Sequence, residues 1–168
     1  MKTFNTVAEL RAFRTALGGS VGFVPTMGAL HPGHASLIER SVRENDATIV
    51  SIYVNPTQFD NVVDLEKYPQ LPEADSEMVH ASGGDAIFAP TWAEMYPDGF
   101  AYFVDETGLS QTLCGASRPG HFRGVLTVVM KLLSIVRPDR AYFGEKDYQQ
   151  YLLIDGMAKA FHLETAIV

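Results

Sequence analysis

Apolar residues recur at helical spacing through Val7, Leu10, Phe13 and Leu17. Thr6 stands in front of them and Glu9 three residues on, which predicts a first helix over 6–17 with a capping box, ended by Gly18-Gly19. Val21-Gly22-Phe23-Val24-Pro25 is a short apolar run of strand type. It passes through a glycine-bearing turn, Thr26 to His34, into the helical pattern Ala35 to Val42. Ala47 to Val54 (ATIVSIYV) is almost continuously apolar and β-branched, the signature of a parallel strand covered on both faces. A polar, proline-rich connection over 55–72 leads to a helix over 73–81 and a strand at Asp85 to Pro90. Beyond the loop 91–99 and the stretch 101–104, a segment bearing Gly and Arg, Cys114 to Gly124, precedes a long amphipathic helix from Val125 to Val136. Arg140 to Gly144 reads as a strand end entering a turn, 149–161 as a last helix, and 164–168 as the start of a further strand.

Strands and helices that alternate over short connections predict an α/β fold with a parallel, doubly wound sheet, right-handed crossovers and ligands beyond the carboxyl ends of the strands. The turns at 25–34 and 143–150 both fall at that edge. No repeat, low-complexity tract or linker interrupts the pattern, so 1–168 reads as a single domain.

Composition narrows the function classes. With 168 residues, 46% of them hydrophobic, the chain can build one sizeable core. No apolar run approaches the roughly 20 residues that span a bilayer, and the first residues lack the pattern of a signal peptide, so the expected location is cytoplasmic and off the membrane. The single cysteine, Cys114, can form neither an internal disulfide nor a thiolate metal cluster, and reads as a small, roughly apolar side chain. A net charge of −7 argues against a nucleic-acid partner. The charge is uneven, however. Residues 60–106 hold eleven acids against Lys67, whereas 118–146 hold six Lys and Arg against Asp139 and Glu145, a locally basic surface suited to a small polyanion as well as to a solvated helix face.

Three strand ends carry polar groups. His31 and His34, three apart at a helix start, can face one ligand, with Gly28 and Gly33 letting the backbone approach it. Free N–H groups and an imidazole there suit phosphate oxygens. The spacing alone also fits two ordinary polar turn residues, and less well a zinc pair, since no Glu lies between them. In Phe143-Gly144-Glu145-Lys146-Asp147-Tyr148-Gln149-Gln150, Lys146 can neutralise phosphate. Asp147 can bind a sugar or cap a helix, and Gln150 can fix a small polar substrate; a plain capped turn is the other reading. Gln58, in Val54-Asn55-Pro56-Thr57-Gln58-Phe59, repeats the theme after the strongest strand. Arg118 and Arg123 flank Pro119-Gly120-His121-Phe122 and could grip a carboxylate or phosphate, or form surface ion pairs. Val128, Val129, Leu132 and Leu133 read as core, and Trp92, Tyr96 and Phe100 as packing.

Together, Pro25 to His34, Val54 to Phe59, Arg118 to Val125 and Phe143 to Gln150 resemble the pantothenate synthetase (pantoate–β-alanine ligase) family along the whole chain. His-x-Gly-His alone marks only the broader nucleotidyltransferase superfamily. The resemblance implies a Rossmann-like fold and a two-step ATP-dependent reaction, in which pantoate is adenylated and β-alanine then displaces AMP. It implies that His34 is the proton donor, with His31 and Lys146 completing the catalytic set. Met27, Gly28, Ala29, Leu30, His31, Pro32, Gly33 and His34, with Gly144, Glu145, Lys146 and Asp147, would bind ATP. Gln58 and Gln150 would hold pantoate, with Arg118 and Tyr68 nearby. It further implies a homodimer and Mg2+ carried on the ATP phosphates. No protein metal site is assigned, because the stretch where some members bear an acidic pair and a Gln reads Ala74-Asp75-Ser76-Glu77-Met78. The family's C-terminal lid domain, with its Ser- and Arg-bearing loop, does not occur in these residues. The chain is therefore expected to be an N-terminal domain, poorly active alone. Two rivals remain at this stage: another adenylyl- or cytidylyltransferase, and a binding module without turnover.

Overall fold

The computed structural model describes residues 1–168. Six parallel strands form one sheet: β1 (Lys2–Phe4), β2 (Val21–Thr26), β3 (Ala47–Ile52), β4 (Ala86–Phe88), β5 (Arg140–Ala141) and β6 (Ala166–Ile167), in the order β1-β4-β3-β2-β5-β6. The long helices are α1 (Val7–Ala16), α2 (Pro32–Glu44), α4 (Pro72–Ala81), α7 (His121–Val136) and α8 (Tyr148–Ala160). Between them lie the short helices α3 (Val62–Glu66), α5 (Trp92–Met95) and α6 (Cys114–Ser117). No helix is long and apolar enough to cross a membrane.

Side-chain alternation along the strands builds two cores. Val21, Phe23, Ile49, Ala86 and Phe88 pack with Leu10, the apolar face of α7 and Leu153, Ile154 and Met157 of α8. Val24, Val50 and Ile87, the intervening residues, pack with Ile38 of α2, Val79 of α4 and Tyr142. Helices therefore cover both faces, which is why β2 and β3 read as unbroken apolar runs. From β2 the chain runs outward to β3 and β4, then returns across the sheet to place β5 on the other side of β2. The strand order reverses between β2 and β5, and the crevice beyond their carboxyl ends is the ligand-binding position of such sheets.

The expected doubly wound sheet is borne out, and so is the Thr6–Glu9 capping box. Boundaries shift for local reasons. α2 starts at Pro32, three residues early, because proline lacks only an N–H that a first turn leaves unpaired. α7 starts four residues early, at His121, behind Gly120 in the left-handed conformation (φ 83). Residues 101–104 form no strand, and Lys2–Phe4 forms one that its length conceals. Trp92, Tyr96 and Phe100 pack as expected, with ring centroids at 4.4 and 5.5 Å.

Candidate functional site

Beyond β2, the Thr26 hydroxyl donates to the Ser51 carbonyl at 2.7 Å and accepts from the Gly28 N–H at 3.2 Å. The chain then bends through Gly28 (φ 84) and Ala29 (φ 50). Only glycine fits at 28, since a Cβ would stand 2.9 Å from Asp75 Oδ2. Ala29 carries a side chain in the same left-handed region, at a cost of about 1–2 kcal/mol. The almost wholly buried Asp75 carboxylate holds it there, accepting from the Ala29 N–H at 3.0 Å and the Leu30 N–H at 2.7 Å.

His31 is the N-cap of α2, and its Nδ1 accepts from the Gly33 N–H at 3.1 Å. His34 Nδ1 accepts from the His31 N–H at 3.3 Å, and the two rings lie 4.1 Å apart. With both Nδ1 atoms accepting, the ring proton of each histidine falls on Nε2, the nitrogen away from the backbone. His34 is half-buried. Burial, then His31, then Lys146 lower its pKa, against an upward pull from Asp75, so the ring is neutral at pH 7. Two imidazole N–H donors thus stand at a helix N-terminus, an arrangement that favours anionic oxygens.

These histidines share a cavity of about 270 Å³ with the other two strand ends. Its wall includes Pro25, Met27, Tyr53, Asn55, Gln58, Tyr68, Phe143, Asp147 and Gln150, and Val125, Val128, Val129 and Leu132 of α7 form an apolar floor. No Lys or Arg lines it. Larger concavities exist, one of about 540 Å³ between Arg14, Arg137 and Glu164, but that one lies by the α7–β5 and α8–β6 connections and gathers none of these loops.

Fully buried Asn55 sets the chemistry of Gln58. Its Nδ2 donates to Gln58 Oε1 at 3.0 Å and to the Gly124 carbonyl at 3.2 Å, while its Oδ1 accepts from the hydroxyls of Tyr96 (2.9 Å) and Thr57 (3.0 Å). Gln58 therefore offers its NH2 as a donor to the cavity. Gln150 faces the same space, whereas its neighbour Gln149 ties α8 to the Leu109 and Thr112 carbonyls and the Cys114 N–H. Tyr68 lines the cavity with its ring edge-on to Phe59 at 5.7 Å, and burial, then Asp75, raise its pKa.

The structure thus gathers Met27, His31, His34, Gln58, Tyr68, Asp147 and Gln150 around one cavity, with Gly28, Ala29, Leu30, Pro32 and Gly33 in the adjoining loop and helix start. Gly144, Glu145 and Lys146 lie in the exposed turn before α8. Three expectations change. Asp147 occupies the N-cap position of α8 but makes no capping bond. Arg118 is outside the cavity wall and pairs with Asp60 at 3.5 Å and His121 at 3.3 Å. Val128, Val129 and Leu132 are core and cavity floor at once. Cys114 is free and exposed. Arg123 proves to be an ion pair, with Asp105 at 2.6 Å. Sequence reading gave no role to Asn55, Asp75, Tyr53 or His121. Asn55 and His121 lay inside the motifs that carry the family resemblance, Asp75 in a stretch considered only for metal, and Tyr53 in an expected strand. Each Asp75 oxygen accepts one loop amide, which gives the carboxylate a structural part in the turn.

A doubly wound parallel sheet with paired histidines at the helix that follows its first central strand defines an α/β nucleotide-binding fold of the nucleotidyltransferase kind. The chain belongs to the pantoate–β-alanine ligase family, whose model matches residues 2–168. It is 53% identical over 161 residues to the pantothenate synthetase of Bdellovibrio bacteriovorus, covering 96% of this chain and 64% of that protein. The crystal structure of the Thermus thermophilus enzyme superposes with a TM-score of 0.94 at 50% identity, over 100% of this chain and 60% of that one. The Francisella tularensis ligase, crystallised with β-γ ATP and β-alanine, gives 0.97 at 44% identity, over 100% and 66%. The chain spans about three fifths of the length of the curated relatives it matches.

Proposed function

We propose that these residues form the nucleotide- and pantoate-binding domain of an ATP-dependent pantoate–β-alanine ligase. The observation that carries this reading is the cavity that joins the His31–His34 pair to the Gln58 and Gln150 amides with no cation in its wall. A carboxylate held by neutral donors keeps its charge available for attack, whereas a guanidinium pair would quench it. In the first step a pantoate oxygen bonds to the α-phosphorus of ATP as the bond to pyrophosphate breaks. In the second, the β-alanine nitrogen bonds to the acyl carbon, AMP leaves, and the ammonium proton passes to solvent. Neither step needs a protein nucleophile, so positioning and charge stabilisation suffice.

In this reading His34 and His31 donate from Nε2 to phosphate oxygens, Lys146 balances charge from the rim, and Met27 to Gly33 with Gly144 to Asp147 surround the nucleotide. Gln58 and Gln150 hold pantoate, with Tyr68 beside them. Mg2+ arrives on the ATP phosphates. Residues 1–168 act as one cytoplasmic domain that pairs as a homodimer.

Calorimetric titration of the chain with ATP, pantoate and β-alanine tests the assignment. Saturable binding of ATP and of pantoate is expected; no pantoate heat at any reachable concentration overturns it. Pantoate-dependent exchange of pyrophosphate into ATP separates turnover from binding alone.

A further inference from the structure

The Gln58 turn, closed by the Phe59 N–H on the Pro56 carbonyl at 3.2 Å, is also braced from outside by the start of α7. Within the turn the Gln58 N–H reaches the Asn55 carbonyl at a long 3.5 Å. Across to α7, His121 Nδ1 lies 2.8 Å from the Gln58 main-chain carbonyl, and a Cβ on Gly124 would meet Gln58 Cα at 2.7 Å. A carbonyl only accepts, so Nδ1 carries the proton. A guanidinium only donates, so Nε2, 3.3 Å from Arg118 Nη1, carries a lone pair. The two neighbours fix a single neutral tautomer. Protonation would leave the Nδ1–H bond to Gln58 in place but set an Nε2–H against the Arg118 donor, forcing apart two groups that both reach the Gln58 carbonyl, Arg118 Nη2 at 3.5 Å.

From this geometry we infer that His121 is a positioning residue for the acid-binding amide of Gln58, acting through the Gln58 carbonyl and touching no substrate itself. Its effect on ligand affinity rests on the cavity being the pantoate site; its effect on Gln58 does not. The charged groups that face the ring are Arg118, Asp60 and Asp147. Burial is the chief cause of its lowered pKa, and Arg118 adds to it, while the Gln58 carbonyl, Asp60 and Asp147 pull upward.

Two measurements test the inference. In the ligand-free chain, the side-chain amide signal of Gln58, assigned by its loss in Gln58→Ala, is followed by NMR from pH 7.5 to 5. The wild type should show a titration with a midpoint below the ordinary histidine value. His121→Asn, whose Nδ2 can replace the Nδ1 donor but cannot titrate, should not. A Gln58 signal indifferent to pH in the wild type, or the same titration in His121→Asn, overturns the inference. In binding, His121→Ala should weaken pantoate about tenfold and leave ATP unchanged, as expected for one misplaced donor, with His121→Asn recovering most of the loss. Equal loss of both ligands, or no loss of pantoate, overturns it. A wild type that binds no pantoate sinks the functional reading instead, and the NMR result still decides the role of His121.

Discussion

Asp75 Oδ1 lies 2.7 Å from the main-chain nitrogen of Leu30, so a buried carboxylate on α4 fixes the turn that delivers two histidines on α2. The second oxygen binds Ala29 in its left-handed conformation. Asp75→Asn keeps the shape but replaces one acceptor with a donor that faces an N–H. The expected loss is about 2–3 kcal/mol in urea unfolding, the scale for hydrogen bonds to a buried charged group. Nucleotide affinity should fall with it, because the loop relaxes from Ala29 onward. Unchanged unfolding and unchanged ATP binding would show that the loop holds itself.

His34→Ala removes one Nε2 donor together with the Nδ1 acceptor of the His31 N–H, while the His31 ring keeps its bond from the Gly33 N–H. If His34 serves as the acid in adenylation, pantoate-dependent pyrophosphate exchange should slow by about 10²–10⁴-fold, the range for a positioned general acid. An exchange rate equal to the wild type removes it from that role.

Both lowered histidines make stability depend on pH. Where a folded-state pKa lies below the unfolded value, near 6.5, the unfolded chain binds more protons, and stability rises with pH. His34 and His121 therefore impose no penalty above that value. The penalty grows as pH falls through 6.5 and levels off below their folded pKa values. Thermal unfolding between pH 7.5 and 5 should show this fall, reduced in His34→Gln and reduced further with His121→Asn. Parallel curves for wild type and double variant would mean that the carboxylates alone set the slope.

The fold was more legible in the sequence than the supports of the site. β2, β3 and α7 announce themselves because burial on both faces or along one stripe demands unbroken or periodic apolar residues. His31, His34, Gln58 and Gln150 could be picked out because polar groups at strand ends in such a sheet point to ligands. Asp75 left no such mark: among the acids of 60–106 it looks solvated, and only the return of α4 to the Gly28–Leu30 turn makes it a buried clamp. His121 was likewise hidden, since its partner Gln58 lies 63 residues away. The two readings of Arg118 stayed open for the same reason, because a guanidinium that grips a ligand and one that braces a neighbouring turn are identical in sequence.

Tyr53 lines the cavity, yet its hydroxyl is buried with no hydrogen-bond partner, and burial raises its pKa. A buried orphan hydroxyl costs about 1–3 kcal/mol in lost hydration. Tyr53→Phe keeps the ring in place and removes that cost, so the midpoint of thermal unfolding should rise or hold, with pantoate and ATP affinity unchanged. A clear drop in stability would reveal that the hydroxyl is bonded in solution.

Gly124 and Gly156 both interrupt helices, and replacing each by alanine should act in opposite directions. In an exposed helix interior the change from glycine gains about 1 kcal/mol through helix propensity. At Gly156 a new Cβ has nothing within 4 Å, so the gain should appear in full. At Gly124 the Cβ would run into the Thr57 carbonyl, and Gln58 Cα lies 2.7 Å from its position, so the turn must move away from α7. Forced rearrangements of this kind cost about 1–3 kcal/mol, enough to cancel or reverse the propensity gain. The movement also pulls Gln58 off the His121 ring and breaks the Asn55 bond to the Gly124 carbonyl, so pantoate affinity should fall more than stability does. Unfolding and pantoate titration of the two variants side by side decide the matter. A Gly124→Ala chain as stable and as tightly bound to pantoate as Gly156→Ala would mean that the close approach of the 56–58 turn to α7 has no part in forming the acid site.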